Sequence, residues 1–234
     1  AWMWQGHDLM CANHLRRQNP QVCPHCVHRF GYCRQIWELA LATHCPLHQS
    51  RLIDSCAQCH SRLRWDRPSV EICHCGHPFK VGLGDEHATA TSIEFMLVLQ
   101  TLLQYDGPAS TAESPTSVSC FLRRMSLPGA LTLVNAFGIQ KHTHQIIQTS
   151  QRTKSLRTQD WQVIVQRAWL RLEIFCNDPH DETLLGAVDS VLIMHLLSKS
   201  NHPVDHQVAM LACATLPRDM QPKVRSHSYQ RTLF

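Results

Sequence analysis

Eight residues of the kind that bind metal ions fall between positions 23 and 75, in four close pairs. They are Cys23-Pro24-His25-Cys26, Cys45-Pro46-Leu47-His48, Cys56-Ala57-Gln58-Cys59 and Cys73-His74-Cys75. A Cys/His pair one or two residues apart sits on a tight turn with both donors on one side, which is half of a tetrahedral metal site. Four halves make two sites. Zinc takes four such donors at about 2.0–2.3 Å, and two facing turns supply them. A disulfide framework would use the same residue type, but Cys33, Cys120, Cys176 and Cys213 stand singly, which is poor bookkeeping for pairing.

The order of the pairs matters. A cross-braced arrangement starts a new cysteine pair two or three residues after its central histidine, whereas here seven residues separate His48 from Cys56. Sequential sites are therefore expected: Cys23, Cys26, Cys45 and His48 on one metal, Cys56, Cys59, Cys73 and Cys75 on the other. Gly76 suits the turn that aims N–H groups at a thiolate. Four protein donors leave no position for water, so both metals are expected to be structural and not catalytic. His25, His28, His44, His60, His74 and His77 lie close enough to compete as ligands, and as single residues they read as turn histidines. Cys33, Cys120, Cys176 and Cys213 read as small buried apolar residues.

The run over residues 22–79 resembles the zinc-binding core of the TniQ/TnsD family, the target-selection proteins of transposons with multi-component transposition machinery. The resemblance is carried by CPxC at Cys23–Cys26, then Tyr32, Arg34 and Trp37 spaced as Tyr-x-Arg-x-x-Trp, then CPxH at Cys45–His48, CxxC at Cys56–Cys59 and CxCG at Cys73–Gly76. It covers about a quarter of the chain, and the region beyond residue 80 adds little to it. It implies two structural Zn2+ ions on the eight residues named above. It also implies a non-enzymatic adaptor that links a targeting module, either attachment-site DNA or a CRISPR RNA-guided complex, to an AAA+ transposition ATPase and its transposase. Some relatives place two copies on a guide-RNA complex, which leaves a homodimer as a possible arrangement. Family members usually carry a long helical segment opening with Met before the first CPxC. Here 22 residues precede Cys23 and the sequence starts Ala-Trp-Met-Trp, so residues 1–22 read as the remnant of that region.

The net charge is only +4, so this is no basic nucleic-acid sponge. The basic excess falls on the metal-binding stretch, in Arg16, Arg17, Arg29, Arg34, Arg51, Arg62, Arg64, Arg67 and Lys80. Arg62, Arg64 and Arg67 interleave with Trp65 between the halves of the second site, a strip that could meet phosphates or an RNA backbone. A solvated hairpin with Trp65 packed inward reads equally well. Arg29, Arg51 and Lys80 complete the candidate contact set. Arg34 and Trp37, on an expected short apolar helix with Ile36, Leu39, Ala40 and Leu41, read as fixing that helix against the first site. Apolar content of 44% is ample for a core, and no stretch reaches the 18 or more apolar residues of a membrane span. Reduced thiols at the ligand positions require a reducing compartment, and with the resemblance this implies a bacterial cytoplasm.

The expected fold is mainly α: a small tandem zinc-ribbon or knuckle module over residues 23–80, a helical domain over 86–150, and a C-terminal helical domain and tail over 151–234. Apolar spacing predicts helices at 92–105, 119–125, 128–137, 158–175, 182–197 and 204–216, with polar connectors at 107–116 and 148–157. The last three helices are compatible with a helix-turn-helix-like unit or with any small bundle. Motifs for catalysis are missing: there is no HExxH, no GxxxxGK[ST], no GxSxG and no His-x-Glu ahead of a Pro-Cys-x-x-Cys. His142-Thr143-His144 lacks neighbouring acids. The chain is therefore expected not to be an enzyme. The rival reading is a zinc-ribbon transcription regulator that reads DNA directly.

Overall fold

The computed structural model describes residues 2–10, 12–82, 88–104, 115–139 and 156–216. The expected connectors lie almost wholly outside these residues, as do His142, His144 and the C-terminal tail. Among the described residues there are seven α-helices and two small antiparallel hairpins. None of the helices is long and apolar enough to cross a membrane.

The chain opens with strands β1 (Trp2–Trp4) and β2 (His7–Leu9). Gln5 and Gly6 between them both have positive φ, 51° and 76°, as a two-residue hairpin turn of the right twist demands. Helix α1 (Pro24–Phe30) and the hairpin β3 (His44–Cys45) and β4 (Ser50–Arg51) follow. The helical part comprises α2 (Ala90–Leu102), α3 (Ser117–Leu122), α4 (Leu127–Gly138), α5 (Thr158–Asn177), α6 (Ser190–Lys199) and α7 (Pro203–Ala212). Side-chain oxygens of Thr89, Thr116, Ser126 and Asp189 accept backbone N–H groups at the starts of α2, α3, α4 and α6, which is why these helices begin where they do.

Helix α4 is the axis of the helical part. Every residue from Leu127 to Gly138 is buried, with α5 and α6 packed along it. Close approach to α5 requires Gly138, since a Cβ there would run into the backbone carbonyl of Ile164. The end of α4 is satisfied from outside: Arg171 donates to Phe137 O (2.6 Å), Arg167 to Gly138 O (2.9 Å) and Asp189 N to Ala136 O (2.8 Å).

Two expected helices take other forms. Residues 182–197 are not continuous: a 3-10 turn at Glu182–Leu184 is followed by Gly186 at φ 70°, and α6 starts afresh under its Asp189 cap. The stretch expected to be helical around Ile36 to Leu41 is only a 3-10 turn, Gln35–Glu38. Its carbonyls are claimed by other partners, since the buried Gln21 amide donates to Trp37 O, Leu39 O and Ala42 O (3.1, 3.0 and 2.6 Å) and Arg16 N to Glu38 O. Cys120 is exposed on α3, and Cys33 and Cys176 are half-buried, so of the four cysteines expected to be small buried residues only Cys213 is fully interior.

The described residues ahead of Cys23 are built into both parts. Trp4 Nε1 donates to Glu38 (2.7 Å), and Leu9 is fully buried on the strand that packs against α4. The His14 ring bridges Thr132 and Asn135 on α4, at 3.2 Å each. Arg16 is buried and pairs with the equally buried Asp54 at 2.8 Å. The same guanidinium reaches Gln21, Thr158 and Leu156 O, while Asp54 also accepts the N–H of Thr158 at the start of α5. One ion pair thus joins the opening segment, the metal-binding part and the longest helix.

Two outcomes follow from these hooks. Asp54→Ala leaves the Arg16 charge buried without its carboxylate and should cost about 3–5 kcal/mol in urea unfolding. Asp66→Ala, whose partner Arg64 lies with it in solvent, should leave the midpoint unchanged. Burial, followed by the neighbouring His195, holds the His14 ring down to about 4 from its ordinary 6.5. The folded chain keeps this ring neutral while the unfolded chain protonates it below about 6.5. Its stabilisation is therefore complete above that pH and is lost, by roughly 3 kcal/mol, as pH falls towards about 4. His14→Gln should flatten that slope in unfolding curves taken between neutral pH and about pH 5.

Candidate metal centres

Each half-site is a turn stabilised by its own backbone. Cys23 precedes α1 in extended conformation, Pro24 occupies the first helical turn, and Cys26 follows one turn in, with Val27 N bonded to Cys23 O at 3.1 Å. The other three halves share one device. The residue just after the second donor turns left-handed and returns its N–H to the carbonyl of the first donor. Gln49 (φ 49°) bonds Cys45 O at 2.8 Å, His60 (φ 56°) bonds Cys56 O at 2.9 Å, and Gly76 (φ 85°) bonds Cys73 O at 2.9 Å. The expected role of Gly76 is thus taken in part by its neighbour, since the His77 backbone is the one hydrogen-bonded to the Cys75 sulfur.

The structure brings the donors together in sequential order: Cys23, Cys26, Cys45 and His48 in one set, Cys56, Cys59, Cys73 and Cys75 in the other, all donor atoms of a set within 4.8 Å of one another. Six of the donor–donor spacings match a tetrahedron. Metal–sulfur bonds of about 2.3 Å place sulfurs about 3.8 Å apart, and a nitrogen at about 2.0–2.1 Å lies about 3.5 Å from them. Cys56–Cys75 and Cys59–Cys73 are each 3.8 Å apart, and Cys26–Cys45 3.6 Å. His48 Nδ1 lies 3.5, 3.3 and 3.5 Å from the sulfurs of Cys23, Cys26 and Cys45. None of these sulfur pairs approaches the ~2.05 Å of a disulfide.

Such crowding is unfavourable for ionised sulfur alone. Hydrogen bonds from Cys26 and then Cys45 push the Cys23 thiol far down, while Cys26 and Cys45 are pushed up, first by their proximity to Cys23. In the second set the Ser61 backbone pulls Cys59 down to about 6, and burial pushes Cys73 up to about 12. A bound dication removes this conflict by letting every cysteine of a set ionise. Arg34 adds a second positive charge at the first set, hydrogen-bonded to the Cys26 sulfur. The two sets could therefore hold two metal ions, each with four protein donors.

The competing histidines stay outside both sets. His25 stacks on His48 with ring centroids 5.0 Å apart, His28 faces Glu71, and His44 is fully buried with its Nδ1 on Thr43 Oγ1 at 3.0 Å. The candidate contact residues divide. Arg29, Arg64, Trp65 and Lys80 are exposed, although Arg64 is paired with Asp66 and the Trp65 indole N–H is tied to Arg17 O at 2.9 Å. Arg51 is half-buried on β4. Arg62 turns inward to Leu156 O (3.1 Å), and Arg67 bonds Arg64 O and the Cys33 sulfur (2.7 and 3.2 Å). The interleaved strip is thus two outward side chains, Arg64 and Trp65, flanked by two arginines that hold the fold. Arg16, counted with the surface charge from sequence alone, is interior. In the helical part, α6 and α7 are joined by three residues, but α7 has no Lys or Arg with which to reach phosphates or base edges.

No protein family, curated protein or solved structure was found to match this chain.

Metal analysis of the purified chain should give two ions per molecule. His48→Ala should reduce this to one, removing the first centre and leaving the second, as should Cys56→Ala for the reverse case. Cobalt substitution would report each centre by its tetrahedral thiolate spectrum, and loss of both bands in either variant would mean that the donors are shared between sites.

Proposed function

We propose that the chain is a non-enzymatic target-site selection adaptor of DNA transposition, of the kind the TniQ/TnsD resemblance implies, with a structural Zn2+ in each centre. The observation that carries this reading is the pair of closed, sequential donor sets built on the CPxC, CPxH, CxxC and CxCG run. Zinc suits tetrahedral sets dominated by thiolate, and four protein donors leave no open position for a reacting water. The centres hold a rigid platform, the exposed Arg29, Arg64, Trp65 and Lys80 offer it to nucleic acid or protein, and the helical part docks partners. Those partners are an AAA+ transposition ATPase and either attachment-site DNA or a CRISPR effector complex, in a bacterial cytoplasm. DNA reading by the C-terminal helices is the weaker reading because α7 carries no Lys or Arg.

A tagged chain recovered from cells that carry its native gene neighbourhood tests this directly. Co-purification of an AAA+ ATPase or of a CRISPR effector complex, surviving nuclease treatment, is the expected result. Specific DNA retained with neither partner would make the transcription regulator the better account.

A further inference from the structure

The two centres differ in how far solvent reaches them. Cys23, Cys26 and Cys45 have 0% exposure, and His48 lies half-covered against the His25 ring. In the second set Cys56 and Cys73 are buried, Cys59 is half-buried and Cys75 is exposed. Charge divides them in the same way. Three thiolates, an imidazole and a dication leave one negative charge, which the Arg34 guanidinium at Cys26 offsets. Four thiolates and a dication leave two, met by hydrogen bonds from Gln58 N, the His77 backbone and the Ser61 backbone and hydroxyl. Sulfur is oxidised more readily the more thiolate character and exposure it retains.

We infer that the second centre is an oxidation site: two-electron oxidants of the peroxide class convert Cys75 and Cys56 to a disulfide and expel that metal while the first centre stays closed. This rests on reading both donor sets as zinc centres. The exposed Cys75 thiolate attacks one oxygen of hydrogen peroxide, the O–O bond breaks, and the departing hydroxide takes up a proton to become water. The Cys56 thiolate, 3.8 Å away, then attacks the sulfur of the sulfenic acid. The S–O bond breaks, and hydroxide leaves and is protonated to a second water. Two thiolates lose two electrons to one peroxide, and the metal, left with Cys59 and Cys73, dissociates. The strip between the two halves of this centre reaches the rest of the molecule through Arg62 to Leu156 O, Leu63 N to Asp54 O and Trp65 to Arg17 O. The disulfide keeps the two halves joined through Cys56 and Cys75 while Cys59 and Cys73 lose their common metal, so oxidation alters how the strip with Arg64 and Trp65 is held.

The test uses the full chain with its metal content measured beforehand. Hydrogen peroxide is added in steps, released zinc is followed with a colorimetric chelator, and disulfides are mapped by peptide mass spectrometry. One metal should leave roughly ten-fold faster than the other, with peptides joined through Cys56 and Cys75 in that fast phase and reversal by dithiothreitol with added zinc. Cys75→His keeps a fourth donor without the exposed thiolate and should slow the fast phase by about the same factor. If that variant does not fold, the order of release and the mapped peptides of the unmodified chain decide alone. Release of both metals at one rate, earlier oxidation of Cys23, Cys26 or Cys45, or a fast-phase disulfide that leaves out Cys75 would overturn the inference and leave the zinc reading standing. Fewer than two metals per chain at the outset would overturn both.

Discussion

Like charge held at close range is the constraint around which this molecule is built. Seven cysteines and a histidine converge in two sets whose donor atoms lie within 4.8 Å of one another, with pairs such as Cys26–Cys45 and Cys56–Cys75 at 3.6 and 3.8 Å, and two thiolates at such a spacing repel by about 4 kcal/mol even at an effective dielectric near 20. A dication at the middle of each set would turn that repulsion into attraction. Between residues 23 and 80 the chain has one short α-helix, a 3-10 turn and strands of two residues, so ladder hydrogen bonds supply little. Its order comes from the donor turns and from the apolar side chains, such as Trp37, Leu52 and Leu63, that close around them.

A second charge is handled differently. Arg16 is buried where no metal could serve it, and burial pulls its guanidinium down to about 10 while Asp54 opposes that shift. The pair is useful because of what else it touches. Asp54 precedes the second donor set by two residues and accepts the first N–H of α5, while Arg16 follows closely on His14, which is hooked to α4. The metal-binding part is thereby fixed to the helical part through groups that cannot be separated without exposing an uncompensated charge to an apolar interior.

The proposed adaptor role draws on this division of labour. A closed metal centre lends rigidity without reactivity, which suits a surface that has to present the same shape to several partners. The first centre, buried and supported by Arg34, meets that description fully. The second carries more negative charge and lies open at Cys75, so the same donors that shape the Arg64–Trp65 face also expose it to its surroundings.

The metal donors were legible in the sequence because a turn of one or two residues is a local object: covalent geometry alone puts Cys23 beside Cys26 and Cys73 beside Cys75. The seven-residue gap after His48 likewise carried the sequential order. Helix α5 was readable from Trp161, Ile164, Val165, Ala168, Trp169, Leu172 and Phe175, whose spacing makes one apolar face. Other features were decided only in three dimensions. The break at Gly186 and the restart at Asp189 interrupt an apolar pattern that runs on unbroken, and the carbonyls of Trp37 and Leu39 were diverted from a helix by the distant side chain of Gln21. Arg16, Arg62 and Arg67 look the same in sequence as Arg29 and Arg64, yet three face inward and two outward. A charge's burial depends on which partner the whole chain brings to it, Asp54 or Leu156 O or Cys33, and that is set by long-range packing and not by neighbours along the chain.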